Sequence, residues 1–333
     1  MTMRATISVW GLEGGIFLRE RRSWRNTSPT ANSLSFCDLF FNYNVRMFLR
    51  LARPLHLVLA ALTYTLGASI ADYLGYPFAA RSFWLGLLGI LCAQAAMSLL
   101  SEVFRLDVEP LLENETRAQR QSLRNNALYV SIALIGAITF IAFILYNNSL
   151  LQLAPFFFIV LSLVVLLVYS VPPFRFVNRG AGEFLLAVHL AYVIPFVSFT
   201  LQAGETHRFL ALAIPLTFLA FAYFLVGNFQ SFAQDQKLHR VTFLTRLGWE
   251  RVVPMHHTLV LSAYLLFALS PLFGLSLSLI WPLFLTFPFA LFQMYLLRAI
   301  SLGAKPNWTL LHADALAVFG LTTYFLTLTF WLR

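Results

Sequence analysis

Residues 127–170 read ALYVSIALIGAITFIAFILYNNSLLQLAPFFFIVLSLVVLLVYS, a run without an Asp, Glu, Lys, Arg or His. Asn147-Asn148-Ser149 divides it into two apolar segments, 127–146 and 150–170. Each is roughly twenty residues long, the length an α-helix needs to cross about 30 Å of hydrocarbon at about 1.5 Å rise per residue. The turn between them is barely long enough to reverse the chain. A membrane β-barrel would show short segments of alternating polarity instead, and none is visible.

Working outward, comparable apolar segments fall at 55–75, 83–104, 183–202, 208–230, 255–273, 276–298 and 312–331. The expected fold is therefore all-α, a polytopic bundle of about nine transmembrane helices. Composition agrees: 59% of the 333 residues are hydrophobic, 11% are charged and 34 are Phe, more apolar surface than a soluble domain of this size can bury. Mean hydropathy is +0.74. Two cysteines, Cys37 and Cys92, make neither a disulfide framework nor a zinc pattern. The net charge of +9 is read as loops held on one membrane face, not as a nucleic-acid surface.

Residues 1–46 mix polarities and include the basic cluster Arg19, Arg21, Arg22 and Arg25, so they are expected to form a poorly ordered or non-native extension. The transmembrane domain is expected over 47–333, with Met47 as an alternative start. Counted from Arg46 onward, alternate connections starting before the first span carry fifteen Lys or Arg, whereas the other side has three: Arg81, Arg208 and Arg333. This bias predicts a cytoplasmic N-terminus and an external C-terminus, in the cell membrane. The longer, more polar connections then share the cytoplasmic face, where chemistry is expected.

Three polar segments there could carry it. Beyond the second span, a helix continuing to the residue before Pro110 would put Ser98, Glu102, Arg105 and Glu109 on one face. That stripe reads either as a cavity wall or as a helix end becoming solvated. After the fourth span comes Tyr169-Ser170-Val171-Pro172-Pro173-Phe174-Arg175-Phe176-Val177-Asn178-Arg179-Gly180-Ala181-Gly182-Glu183. Its stiff prolines and forked guanidiniums suit a diphosphate, and equally an ordinary basic turn. After the sixth span, Asn228, Ser231 and Asp235 fall on one helical face with oxygens of the kind that bind Mg²⁺, or as a structural polar patch.

The loop from Tyr169 to Glu183 resembles the pattern Y-S-x-P-P-x-R-x-K-x-R-G-x-G-E of the UbiA-type prenyltransferases. The stretch Asn228–Gly248 is similar to that family's N-x-x-D-x-x-x-D with its closing R-L-G, and Arg53-Pro54 to its entry R-P. The resemblance covers 47–333. It implies a nine-helix bundle open to lipid that joins a prenyl group to a hydrophobic acceptor, often an aromatic quinone precursor. In that family Mg²⁺ held by two Asp-rich motifs neutralises the diphosphate while the allylic C–O bond breaks.

Carried onto this chain, the resemblance implies Glu102 and Asp235 as catalytic residues and Glu102, Glu109, Asn228 and Asp235 as metal ligands. Arg175, Arg179 and Arg105 would bind diphosphate, and Tyr169 and Arg53 would contact substrate. The chain also departs from the pattern. The first motif, N-D-x-x-D-x-x-x-D, is represented by Ser101, Glu102, Arg105 and Glu109, so one carboxylate has become a cation. Ser231 replaces the first Asp of the second motif, and Val177 replaces the loop Lys. Arg105 could meet phosphate charge, or pair with Glu102 or Glu109 and close the metal site. Loss of those residues keeps a second reading open, a non-catalytic relative that binds lipid or quinone or serves as an assembly subunit. A transporter would want ionisable groups or broken helices in an inverted pattern, and His189, Pro195, Pro215 and Pro271 form none.

Overall fold

The computed structural model describes residues 51–105 and 116–333. The expected extension 1–46, Met47, Asp107 and Glu109 lie outside the described residues. Those that are described form helices and no strand.

The helices are α1 (Pro54–Tyr73), α2 (Ala80–Val103), α3 (Arg117–Asn147), α4 (Leu153–Ser170), α5 (Gly182–Val188), α6 (Ile194–Ala203), α7 (Ala213–Lys237), α8 (Phe243–Leu247), α9 (Trp249–Leu269), α10 (Leu277–Ile280), α11 (Phe287–Ser301) and α12 (Trp308–Trp331). A π-helical turn, His189–Val193, joins α5 to α6. Pro195 accounts for it: without an N–H, proline cannot donate the α-helical bond four residues back, and its ring crowds that carbonyl. With α5–α6 and α10–α11 each counted as one traverse, nine helical segments among the described residues are long and apolar enough to cross a membrane.

Helices run past the apolar segments that announce them. α3 begins at Arg117 rather than 127, where Thr116 and Gln119 form a reciprocal capping box. α9 begins at Trp249. Hydropathy marks the part of a helix in lipid, whereas hydrogen bonding carries it onward into water. The reverse holds for α2. It ends at Val103, so the helical stripe expected through Arg105 does not form. The backbone closes with Phe104 and Arg105 donating to the Leu100 and Glu102 carbonyls, and Arg124 donates to the carbonyl of Arg105.

α1 packs against α2, α6 and α12, while α7 packs on α5, α9 and α12. Close approach depends on small residues, as expected where lipid tails remove the hydrophobic drive between helices. A Cβ added at Gly67 would stand 2.2 Å from the Pro195 carbonyl oxygen. Mid-bundle, His189 Nε2 lies 2.8 Å from Ser162 Oγ, linking α4 to the α5–α6 segment. This histidine is an interior hydrogen-bonded residue.

Candidate functional site

The start of α1, the ends of α2, α4 and α7, and the start of α5 meet at one end of the bundle. There residues of α1, α4, α5 and α7, with Arg53, Val177, Arg240 and Thr242 from the connections, line a cavity of about 220 Å³. Its polar wall includes Arg53, Tyr169, Glu183, Asn228 and Arg240, and Leu186 and Phe224 give it an apolar side.

Arg53 is the residue before α1 and has φ of 53°, a left-handed conformation that costs about 1–3 kcal/mol for a non-glycine residue. Its guanidinium Nη2 donates to Glu102 Oε1 at 3.2 Å. Burial works against the Arg53 cation, but Tyr169 and Glu102 outweigh it and raise its pKa above the usual arginine value. Glu102 also meets Arg105, whose Nε stands 3.0 Å from Oε2. The Glu102 side chain is 7% exposed, so both its oxygens face guanidiniums within a largely dry end of α2.

On α7, Ser231 donates its hydroxyl to Asp235 Oδ2 at 2.7 Å, as their four-residue spacing allows. The other oxygen, Oδ1, lies 3.7 Å from Arg240 Nη1. The chain reverses past Lys237 through His239, at φ 52°, which brings Arg240 back beside the buried carboxylate. Across the cavity, Glu183 Oε1 accepts from the Asn228 amide at 2.5 Å and from the Phe243 N–H at 3.3 Å. Thus Glu183 fastens the start of α8 to α7.

The proline-rich loop packs on the same region. Gly180 donates its N–H to the Val241 carbonyl at 3.0 Å. Its φ is 71°, and an added Cβ would stand 3.2 Å from the Thr242 carbonyl oxygen, so glycine suits the position twice over. Arg179 donates to the Pro173 carbonyl. Arg175 donates to Asn178, whose amide oxygen accepts from both terminal nitrogens at 3.0 and 3.1 Å. At the end of α4, Ser170 donates to the Met97 carbonyl of α2 at 2.9 Å.

The structure therefore brings Arg53, Tyr169 and Asn228 together around the cavity, with Glu102 and Asp235 paired to the arginines of its wall and Arg105 behind Glu102. Arg175 and Arg179 lie on the adjoining loop, engaged with it. Sequence reasoning missed Arg240 and Glu183 as cavity residues. Arg240 stands five residues after Asp235, outside the helical period, and only the reversal at His239 returns it.

A family model, the UbiA prenyltransferase family, matches residues 60–313, more than half of the chain. The chain belongs to the UbiA prenyltransferase family. Solved structures share its fold at low identity. A UbiA homolog from Archaeoglobus fulgidus, bound to DMAPP and Mg²⁺, is 18% identical with a TM-score of 0.61, over 86% of this chain and 99% of that one. The same homolog bound to GPP and Mg²⁺ aligns at 18% identity and TM-score 0.60, over 86% and 100%. A UbiA homolog from Aeropyrum pernix K1, in its apo form, is 13% identical with a TM-score of 0.50, over 81% and 97%. No curated protein matches the chain in sequence. Family and fold together make this UbiA member an integral membrane protein.

Mg²⁺ takes near-octahedral oxygens at about 2.0–2.1 Å, usually one or two carboxylates with phosphate oxygens and water. The described donors do not fit that demand. Glu102 Oε1 accepts from Arg53 and its Oε2 stands 3.0 Å from Arg105, while Asp235 Oδ2 accepts from Ser231 and its Oδ1 lies 3.7 Å from Arg240, so each carboxylate sits beside a cation where Mg²⁺ would have to stand. Asn228 is turned to Glu183. Glu109, the remaining ligand that the resemblance implies, lies outside the described residues.

Proposed function

We propose that this UbiA member binds a prenyl diphosphate with its anionic end in the 220 Å³ cavity and transfers the prenyl group to a hydrophobic acceptor, of the quinone-precursor kind. The observation that carries the reading is the pair of guanidiniums, Arg53 and Arg240, on the wall of a cavity at the polar end of an apolar bundle. Solved homologues bound to DMAPP or GPP support it.

In this reading the allylic C–O bond breaks with its electron pair leaving on the diphosphate. Arg53 and Arg240 stabilise that developing charge as preorganised donors. Phe224 and Leu186 exclude water from the carbocation side, and the faces of Phe224 and Tyr169 are suited to a passing cation. Arg175 and Arg179 would meet the diphosphate from the proline-rich loop. The Lys and Arg asymmetry puts this end at the cytoplasmic face of the cell membrane, with residues 47–333 as the working domain and 1–46 as an extension.

The deciding experiment is release of inorganic diphosphate from geranyl and longer prenyl diphosphates by purified protein in nanodiscs, with a pool of aromatic acceptors. Acceptor-dependent release supports transfer. The engagement of Glu102 and Asp235 by arginines favours a second reading, a non-catalytic lipid- or quinone-binding or assembly subunit. Binding of prenyl diphosphate without release under any acceptor would select it.

A further inference from the structure

The two cations on the cavity wall are held from behind by the carboxylates that the family pattern would assign to metal. Glu102 takes Arg53 on one oxygen and Arg105 on the other, at 3.2 and 3.0 Å. Asp235 takes Ser231 on one oxygen and Arg240 near the other, at 2.7 and 3.7 Å. Glu102 Oε1 and Asp235 Oδ2 already accept hydrogen bonds, and the other two oxygens, Glu102 Oε2 and Asp235 Oδ1, stand beside the cations of Arg105 and Arg240. Moreover, a cation near 3 Å from a would-be ligand oxygen repels a divalent ion placed on that oxygen.

The substitutions also supply charge where a metal would have supplied it. Arg105 stands where the pattern has a carboxylate, a change from −1 to +1, and Ser231 stands where it has another, a change from −1 to 0. Val177 in place of the loop Lys takes one positive charge away, so the net gain is two, the charge of one Mg²⁺ ion. On the wall itself two guanidiniums face one carboxylate, Glu183, whose Oε1 accepts from Asn228 and Phe243 and whose Oε2 has no hydrogen-bond partner within the protein. Arg240 Nε has no hydrogen-bond partner within the protein and is a donor left for a ligand.

We propose that this chain binds the diphosphate of a prenyl diphosphate without a divalent cation. Arg53 and Arg240 are the direct ligands, and Glu102, Arg105 and Asp235 are positioning residues that hold them. The inference rests on the prenyl diphosphate reading above and adds to it which charges meet the anion. A guanidinium is planar and always charged, and it matches phosphate oxygens two at a time, so it can neutralise the group and fix its orientation together.

The test is calorimetric titration of the nanodisc protein with the non-cleavable analogue geranyl S-thiolodiphosphate, once in EDTA and once in excess Mg²⁺. The two dissociation constants are expected to agree within about threefold. Arg53→Gln and Arg240→Gln are each expected to weaken binding about tenfold or more in both buffers. A role in positioning is read from Arg105→Asp/Ser231→Asp, which restores the pattern's carboxylates. This variant is expected to bind about tenfold tighter in Mg²⁺ than in EDTA, a metal dependence that loss of structure alone would not create. Wild-type binding that disappears in EDTA and returns with Mg²⁺ overturns the inference while leaving the prenyl diphosphate reading in place. Absence of binding in both buffers overturns that reading and the inference with it. The wild-type comparison decides the matter even if the double variant does not fold.

Discussion

Replacing Glu102 by Gln keeps the side chain's shape and removes the charge shared by Arg53 and Arg105. A hydrogen bond to a charged group contributes about 1.5–3 kcal/mol, against about 0.5–1.5 kcal/mol for a neutral one, so each contact loses about 1 kcal/mol. Two contacts give about 2 kcal/mol. Solvent reaches part of both arginine side chains, which are 31% and 22% exposed, and screening reduces the expected destabilisation to about 1–2 kcal/mol. The assay is the unfolding equilibrium in bicelles for the wild type, Glu102→Gln, Arg105→Gln and the double variant. The coupling free energy of that cycle is expected near 1 kcal/mol, and a value below about 0.3 kcal/mol would refute the claim that the pair fixes the chain where α2 ends.

Three further outcomes are expected. Gly67→Val puts a side chain where a Cβ already stands 2.2 Å from the Pro195 carbonyl oxygen, so it should cost about 1–3 kcal/mol or more and lower the monodisperse fraction on size exclusion. A Cys introduced at Asn178 should be labelled by a membrane-impermeant reagent in inside-out vesicles and not in intact cells; labelling in intact cells would reverse the orientation read from Lys and Arg. Arg175→Gln/Arg179→Gln should weaken prenyl diphosphate binding about tenfold, and unchanged affinity would assign both guanidiniums to the shape of the loop alone.

The nine spans were legible because each contains an apolar run long enough for the bilayer, a signal that needs no knowledge of tertiary structure. The gathering of polar segments at one end follows from the alternation of spans. Asn228, Ser231 and Asp235 were readable as one face because α7 continues unbroken through them. Periodicity failed where the helix stopped. α2 ends at Val103, so Arg105 reaches Glu102 from beyond the helix and not along its face. Arg240 was hidden for the same reason, since its place on the wall comes from a chain reversal that no hydrophobic pattern records. Glu183 ends the proline-rich motif, but its partners Asn228 and Phe243 come from distant segments.

The bond from the Gly180 N–H to the Val241 carbonyl makes mechanical neighbours of two connections far apart in the chain. Arg240 directly precedes Val241, so the proline-rich loop holds the stretch of backbone from which one of the cavity's two guanidiniums extends. A change in the length of that loop is therefore felt as a displacement of Arg240. Engineering the anion end of this bundle means treating residues 171–182 and 238–248 as one part, and lengthening either alone moves a wall of the cavity.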